Sequence, residues 1–431
     1  MKKVLIIAYY WPPAGGPGVQ RWLKFAKYLP EFGIQPIVYV PENPSYPIID
    51  NDLDSNLPKE VIVIKQPIFE PYKIASLFGG KKVAKISSGI VPDQKKQTPF
   101  EALSLWIRGN IFIPDARVLW VKPSVRFLEN YIQENNIETI ITTGPPHSLH
   151  LIGLTLKRKL PLRWIADFRD PWTTIGYHQS LKLSASAAKK HSHLESEVLT
   201  NADDIIVTSI TTKSDFSKIT HKPIEVITNG FDQYAPQVER DEKFSIAHIG
   251  SLLSKRNPEV LWKVLHELII ENSDFKRDFE LKLLGAVSRE VLDSIYKFKL
   301  ADHVTNHGYV SHQEALKHQV SSQVLLLIEI NSEDTKSIIP GKLFEYLAAK
   351  RPILGIGPNG ADFAQILKDT HAGSFVTYYE KDKLKSAIAD LYQKYNDGTN
   401  EVESVDIDKY TRRNLTKSLA KLIENPSPWE S

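Results

Sequence analysis

Residues 4–32 read VLIIAYYWPPAGGPGVQRWLKFAKYLPEF, and this stretch decides the fold. The β-branched apolar run Val4 to Tyr9 predicts a buried strand, and Pro12-Pro13 followed by Gly15, Gly16 and Gly18 predicts a turn. Val19 to Phe32 then places Trp22, Phe25, Ala26 and Leu29 on one helical face. Lys2 and Lys3 ahead of an apolar run mimic a secretion signal. The run is too short and too rich in Val, Ile and Tyr for one, and the prolines break it, so it reads as the first strand of an α/β domain.

The same alternation continues along the chain. Strands are expected at Val4–Tyr9, Gln35–Val40, Val61–Lys65, Glu138–Thr142, Arg163–Asp167, Asp204–Thr208 and Ile224–Ile227. A second series follows at Phe244–Ile249, Glu280–Leu284, His303–Asn306, Val324–Ile328, Ile353–Gly355 and Ser374–Val376. Short apolar runs separated by amphipathic helices are the pattern of a parallel sheet covered on both faces. The fold class is therefore α/β, with two Rossmann-like, doubly wound domains facing a cleft.

The expected domains are 1–235, with a basic aromatic insertion at about 71–126, and 243–405. The polar stretch Asp232 to Lys243 links them, and residues 406–431 end in a helix, Tyr410 to Ile423, packing on either domain.

Composition excludes several classes. With 54 Lys+Arg against 51 Asp+Glu, the net charge of +3 is too small for a dedicated nucleic-acid binder. The absence of cysteine rules out disulfides, thiolate metal sites and cysteine nucleophiles. No apolar run approaches the ~18 residues of a spanning helix, and a cytoplasmic location is expected. Charge is nevertheless segregated: residues 71–126 carry ten Lys and Arg, including Lys81, Lys82, Arg108 and Arg117, against Asp93, Glu101 and Asp115. Phe78, Phe100, Trp106 and Trp120 are interleaved with them. Such a segment suits peripheral contact with an anionic membrane face or an anionic acceptor, and equally a solvated excursion packed on its own domain.

Candidate chemistry falls at the carboxyl ends of strands, where open α/β sheets bind ligands. The Gly15-Gly16 turn allows close backbone approach, and a helix start favours negative charge. Thr142-Thr143-Gly144-Pro145-Pro146 brings His147 to a helix start, where a neutral imidazole can meet substrate or simply cap its helix. Asp167-Phe168-Arg169-Asp170-Pro171-Trp172 can form an internal ion-pair lock or bind acceptor hydroxyls through Asp167, Arg169 and Asp170. In the second domain Gly250 and the Lys255-Arg256 pair suit a diphosphate, Lys342 opens another helix, and Glu345 one turn on can accept from ribose hydroxyls. Asp52-Leu53-Asp54 matches the acidic triplet of metal-dependent transferases but reads as a chance occurrence in a polar loop.

Taken in order, GGPGVQRWLKFAKYL, TTGPPHSLHLIG, ADFRDPW, VITNGFD, HIGSL…RNP, HGYVSHQE and PGKLFEYLAAKRPIL resemble the family 4 glycosyltransferases over roughly residues 15–356. The resemblance implies a GT-B fold and retaining transfer from a nucleotide-sugar donor. Helix N-termini with Arg256 and Lys342 can meet the leaving anion, so no metal cofactor is expected, and the basic aromatic segment points to a saccharide or lipid-linked acceptor, as in cell-surface polysaccharide or glycolipid synthesis. It implies that Gly15 and Gly16 approach the donor diphosphate, that His147 touches the transferred sugar, and that Gly250 and Arg256 hold the diphosphate. Glu345 would bind the ribose, and the backbone from His307 through Tyr309 to Val310 would line the base. Two positions depart from the family pattern. Ser337 replaces the first Glu of Glu-x7-Glu, and Ser251 removes one cation of the phosphate turn, for which Lys342 or Lys255 is the candidate replacement. The rival readings are a GT-B nucleotide-sugar epimerase and a non-catalytic nucleotide-sugar-binding protein at the membrane.

Overall fold

The computed structural model describes residues 1–50, 56–70, 99–179, 181–232 and 236–425. These form two compact units, residues 1–229 with 412–431, and residues 230–411.

Unit 1 is built on a parallel sheet of β1 (Lys2–Ile7), β2 (Ile34–Pro41), β3 (Ile62–Gln66), β4 (Thr139–Gly144), β5 (Arg163–Phe168), β6 (Asp204–Val207) and β7 (Ile224–Val226). Their order is β3-β2-β1-β4-β5-β6-β7. The two-residue period of a strand sends alternate side chains to opposite faces. Leu5 and Ile7 enter one layer with Trp120, Leu149 and Ile152. Val4 and Ile6 enter the other with Trp22, Phe25 and Ala26. Because helices cover both layers, β1 is apolar at consecutive positions.

The second layer is completed from far along the chain. Helix Arg412–Glu424 contributes Leu415, Leu419 and Ile423 to it, and Lys2 Nζ donates to Ile423 O at 2.9 Å near the helix end. A cation meeting the last carbonyls also complements the negative end of the helix dipole.

Unit 2 repeats the design with β8 (Phe244–Ile249), β9 (Phe279–Leu284), β10 (Val304–Gly308), β11 (Val324–Ile328), β12 (Ile353–Gly357) and β13 (Gly373–Thr377). Their order is β10-β9-β8-β11-β12-β13. Phe244 and Ile246 face one core, while Ala247 and Ile249 face the other. The strand order reverses between β1 and β4 in unit 1 and between β8 and β11 in unit 2. These are the topological switch points at which doubly wound sheets open a crevice.

The basic aromatic insertion is described only from residue 99 onward; its lysines at 73–96 lie outside the described residues, as does Asp52-Leu53-Asp54. Its described part contains helix Pro99–Asn110, which buries Leu105 and exposes Leu103 and Trp106. Among the described residues, no helix is long and apolar enough to cross a membrane.

Candidate functional site

In unit 2 the ends of β8, β9 and β10 are laced together by three glycines in the left-handed region, Gly250 (φ 116°), Gly285 (φ 116°) and Gly308 (φ 65°). Gly250 N–H donates to Leu284 O at 2.7 Å, and Gly285 N–H donates to Gly308 O at 2.6 Å. A β-carbon at Gly285 would sit 2.7 Å from Gly250 O, so both backbone angle and space demand glycine there. Gly285→Ala is expected to destabilise unit 2 by about 1–3 kcal/mol, through φ strain and backbone overlap together. Urea denaturation followed by the fluorescence of Trp262 checks this.

Helix Lys342–Ala349 meets this turn with its first residue. Lys342 Nζ would lie 3.0 Å from a β-carbon on Gly250, and it donates across 3.4 Å to His248 Nε2. His248 is buried, and its Nδ1 donates to Leu326 O at 3.1 Å, which leaves Nε2 as the acceptor. Burial, with Lys342 beside it, holds the imidazole neutral, far below its ordinary pKa. Desolvation and the Arg256 charge push the Lys342 ammonium down to about 8.

Arg256 is engaged elsewhere. Its Nη2 donates to Glu329 Oε1 at 3.0 Å and Oε2 at 3.1 Å, and its Nε donates to Oε1 at 3.3 Å. The Glu329 side chain is only 1% exposed and also accepts from Ile330 N–H at 2.8 Å. Arg256 is therefore neutralised by a carboxylate that pattern reading missed. The available signal is an acid set directly after the fully buried strand Val324–Ile328, at the switch point. With Arg256 paired, Lys342 is the cation at this turn whose described polar neighbour is a neutral ring. A half-buried ammonium in that setting marks a candidate anion site. Glu345, one helical turn further, accepts from Gln319 Nε2 at 2.9 Å, and Tyr346 OH accepts from Ile249 N–H at 3.1 Å. Lys255 and Ser251 are exposed, as are His307 and Tyr309 at the end of β10, where the His307 and His318 rings lie 4.8 Å apart.

In unit 1 the loop after β1 is strapped by residues 48–50: Gly15 N–H donates to Ile48 O at 3.0 Å and Asp50 N–H donates to Pro13 O at 2.9 Å. Gly16, at φ 104°, precedes helix Pro17–Tyr28 and has open space where its side chain would be. Gly18 lies in the first turn of that helix. A β-carbon there would fall 1.7 Å from Arg169 Nη1, so glycine makes room for the guanidinium. Arg169 donates to Pro145 O and lies over the Tyr10 ring at 5.9 Å. Asp170 beside it is half-buried; burial raises its pKa against the opposing pull of Arg169.

Of the two readings of Asp167, internal lock or acceptor contact, the structure gives the lock: the residue is wholly internal. Arg21 Nη2 donates to its Oδ1 at 2.9 Å, while Trp22 Nε1 and Thr143 Oγ1 donate to Oδ2, each at 2.8 Å. The strand period puts Asp167 on the same face as Ile165, beneath helix Pro17–Tyr28, whereas Arg169 follows the strand end and is half-buried.

His147 precedes helix Ser148–Lys159 but does not cap it. Asp115 does so from elsewhere in the chain, accepting from Ser148 N–H at 2.9 Å and from Ser148 Oγ at 2.7 Å. Released from that duty, the His147 ring stacks on Trp172 with centroids 5.0 Å apart and planes 5° apart. Both its nitrogens are buried without a hydrogen-bond partner. Burial, reinforced by His150 and Arg169, keeps it neutral. An unpaired buried imidazole calls for a ligand or a functional account. Among the described residues, no group of three or more His, Asp or Glu is placed to hold a metal ion.

Comparison with known proteins places this geometry on a fold. Sucrose-phosphate synthase from Thermosynechococcus elongatus is 15% identical, with 98% of this chain and 96% of that chain covered and a TM-score of 0.58. HepE from Anabaena, solved in complex with UDP and glucose, is 12% identical, with coverage of 98% and 100% and a TM-score of 0.56. This is the GT-B fold. A protein from Listeria monocytogenes assigned as a UDP-N-acetylglucosamine 2-epimerase shares it, at 10% identity, with coverage of 98% and 96% and a TM-score of 0.55. Neither the protein-family models nor the curated protein sequences give a match.

Proposed function

We propose that the protein is a glycosyltransferase that moves a sugar, with retention, from a nucleotide-diphosphate donor to a hydroxyl acceptor in cell-surface polysaccharide or glycolipid synthesis. The observation that carries this reading is the Lys342 ammonium set against the Gly250 turn at the β8/β11 switch point. Lys342 takes the donor diphosphate there, with the paired Arg256 beside it, and Glu345 and the exposed backbone near His307 and Tyr309 receive the nucleoside. The donor β-phosphate leaves as an anion, and a fixed cation in a partly dry site stabilises that developing charge. Lys342 meets this charge without a metal cofactor, while Arg256 stays paired with Glu329.

In unit 1, His147, Arg169 and Asp170 at the ends of β4 and β5 serve the transferred sugar and the acceptor, and the Gly15-Gly16 turn gives the substrates close approach. The exposed Leu103, Trp106 and Ile111, which follow the lysines at 73–96 in the sequence, support peripheral contact of a cytoplasmic protein with an anionic membrane face carrying a lipid-linked acceptor. Transfer is favoured over epimerisation because Glu329, the carboxylate beside the phosphate turn, is held by Arg256. The test is a panel of UDP-, GDP- and other activated sugars with lipid-linked and saccharide acceptors, assayed with and without chelator. The expected result is a glycosylated product of retained anomeric configuration, formed equally in both conditions. Conversion of the donor alone to an isomer would replace this reading with the epimerase.

A further inference from the structure

Unit 2 carries a second pocket at the opposite end of its strands. It encloses about 580 Å³ and is lined by residues 236–240, Val320, residues 349–351, Glu401 and Val402. Arg240 lies shortly before the start of β8 at Phe244, and Arg351 lies just before β12 at Ile353, so the pocket opens at the amino edge of the sheet. The Gly250 turn and Lys342 sit at the carboxyl edge.

The pocket's charge is cationic and incompletely satisfied. Arg351 is 4% exposed. Its Nη2 donates to Asn400 O at 2.5 Å, and its Nε has no hydrogen-bond partner. Burial and the nearby Arg240 charge lower its pKa to about 10. Lys350 precedes it in the left-handed conformation (φ 53°) that ends helix Lys342–Ala349. Glu401, with 71% of its side chain exposed, pairs with Arg240. An exposed carboxylate thus occupies part of a site whose buried guanidinium has an unpaired donor. The negative end of helix Lys342–Ala349 opposes an anion here, but it amounts to about half a charge and is screened at the surface. Arg240, Lys350 and Arg351 stand against it and against the carboxylates of Glu239 and Glu401, which leaves a small cationic excess. A guanidinium fork favours phosphate geometry, and a dianion competes with the two exposed carboxylates of the lining, Glu239 and Glu401. The volume is that of a small-molecule site, and Val320, Ala349 and Val402 supply apolar wall.

We infer that this pocket binds a small phosphate-bearing molecule, independently of the donor site. The test is calorimetric titration of the full chain with ribose 5-phosphate and with inorganic phosphate, in the unsubstituted protein and in Arg240→Ala, Glu401→Gln and Lys342→Ala. Arg240 and Glu401 are both substantially exposed, so these changes leave folding intact. Arg240→Ala is expected to weaken binding about tenfold, and Glu401→Gln to tighten it severalfold by removing the resident carboxylate. Lys342→Ala should leave this binding unchanged, which separates it from the donor reading. Tighter binding of ribose 5-phosphate than of phosphate assigns the site to a phosphate ester, and equal binding assigns it to the free anion; both support it. Absence of binding, or binding lost in Lys342→Ala and untouched by Arg240→Ala and Glu401→Gln, overturns it.

Discussion

Lys342→Ala is expected to weaken binding of a nucleoside diphosphate by about ten- to a hundredfold, the range for hydrogen bonds to a charged group. The pH dependence is more specific. In the free protein the ammonium titrates at about 8, and a bound diphosphate raises that value by stabilising the charged form. Affinity is therefore full below about pH 8 and falls as pH rises through that value, by up to a factor of ten per unit. The same group acts on stability with the opposite sign. Its folded pKa lies below the ordinary lysine value, so the folded state bears the cost of the charge at low pH, and stability rises as pH climbs from about 8 toward 10.5. Lys342→Arg keeps a cation that does not titrate in this range, so it should remove the pH dependence and preserve most of the affinity. Calorimetric titration at several pH values reads the three affinity results, and urea denaturation at pH 8 and pH 10 reads the stability trend. Affinity that is flat from pH 7 to 9 in the unsubstituted protein would contradict the assignment.

The largest stability effect is expected at Asp167. Asp167→Ala should destabilise unit 1 by about 3–5 kcal/mol, because it leaves Arg21 buried without its counter-charge. The Arg21 side chain is 2% exposed, and its other described hydrogen bond goes to Thr228 O at 2.7 Å, a neutral acceptor that cannot balance the charge. Trp22 Nε1 and Thr143 Oγ1 lose their acceptor in the same step. Asp167→Asn keeps an acceptor oxygen and should cost less. Asp170→Asn, two residues from the strand end, should change stability little, because this side chain is only half-buried and is not the counter-charge of a buried guanidinium. Urea denaturation followed by tryptophan fluorescence orders the three; equal stability of Asp167→Ala and Asp170→Asn would remove Asp167 from the lock.

The contrast between these two sites explains what linear reading reaches. The strands are legible because sheets covered on both faces need uninterrupted apolar runs, such as Val4 to Ile7 and Val324 to Ile328, bounded by Gly, Pro or charge. The loops are legible for a related reason: in a doubly wound fold each strand's carboxyl end faces the crevice, so Gly250, His147 and Arg169 are marked by position. Partnership is what stays hidden. Arg21 and Asp167 lie 146 residues apart, and Arg256 and Glu329 lie 73 apart. No local period records such a pairing. Asp115 is concealed in the same way, since a helix is usually capped by its own preceding residue and here His147 yields that role to it. Gly18 shows the converse. It reads as part of a flexible turn, yet its missing side chain is what admits Arg169.

The central claim is that the diphosphate of a nucleotide sugar binds at the β8/β11 switch point of unit 2, against Lys342 and the Gly250 turn. Its most direct test is a crystal structure of the full chain with a nucleoside diphosphate bound. Phosphate oxygens are expected within hydrogen-bonding distance of Lys342 Nζ and the backbone after β8, with the ribose near Glu345. Phosphates bound away from this turn, with Lys342 still against His248, would contradict it.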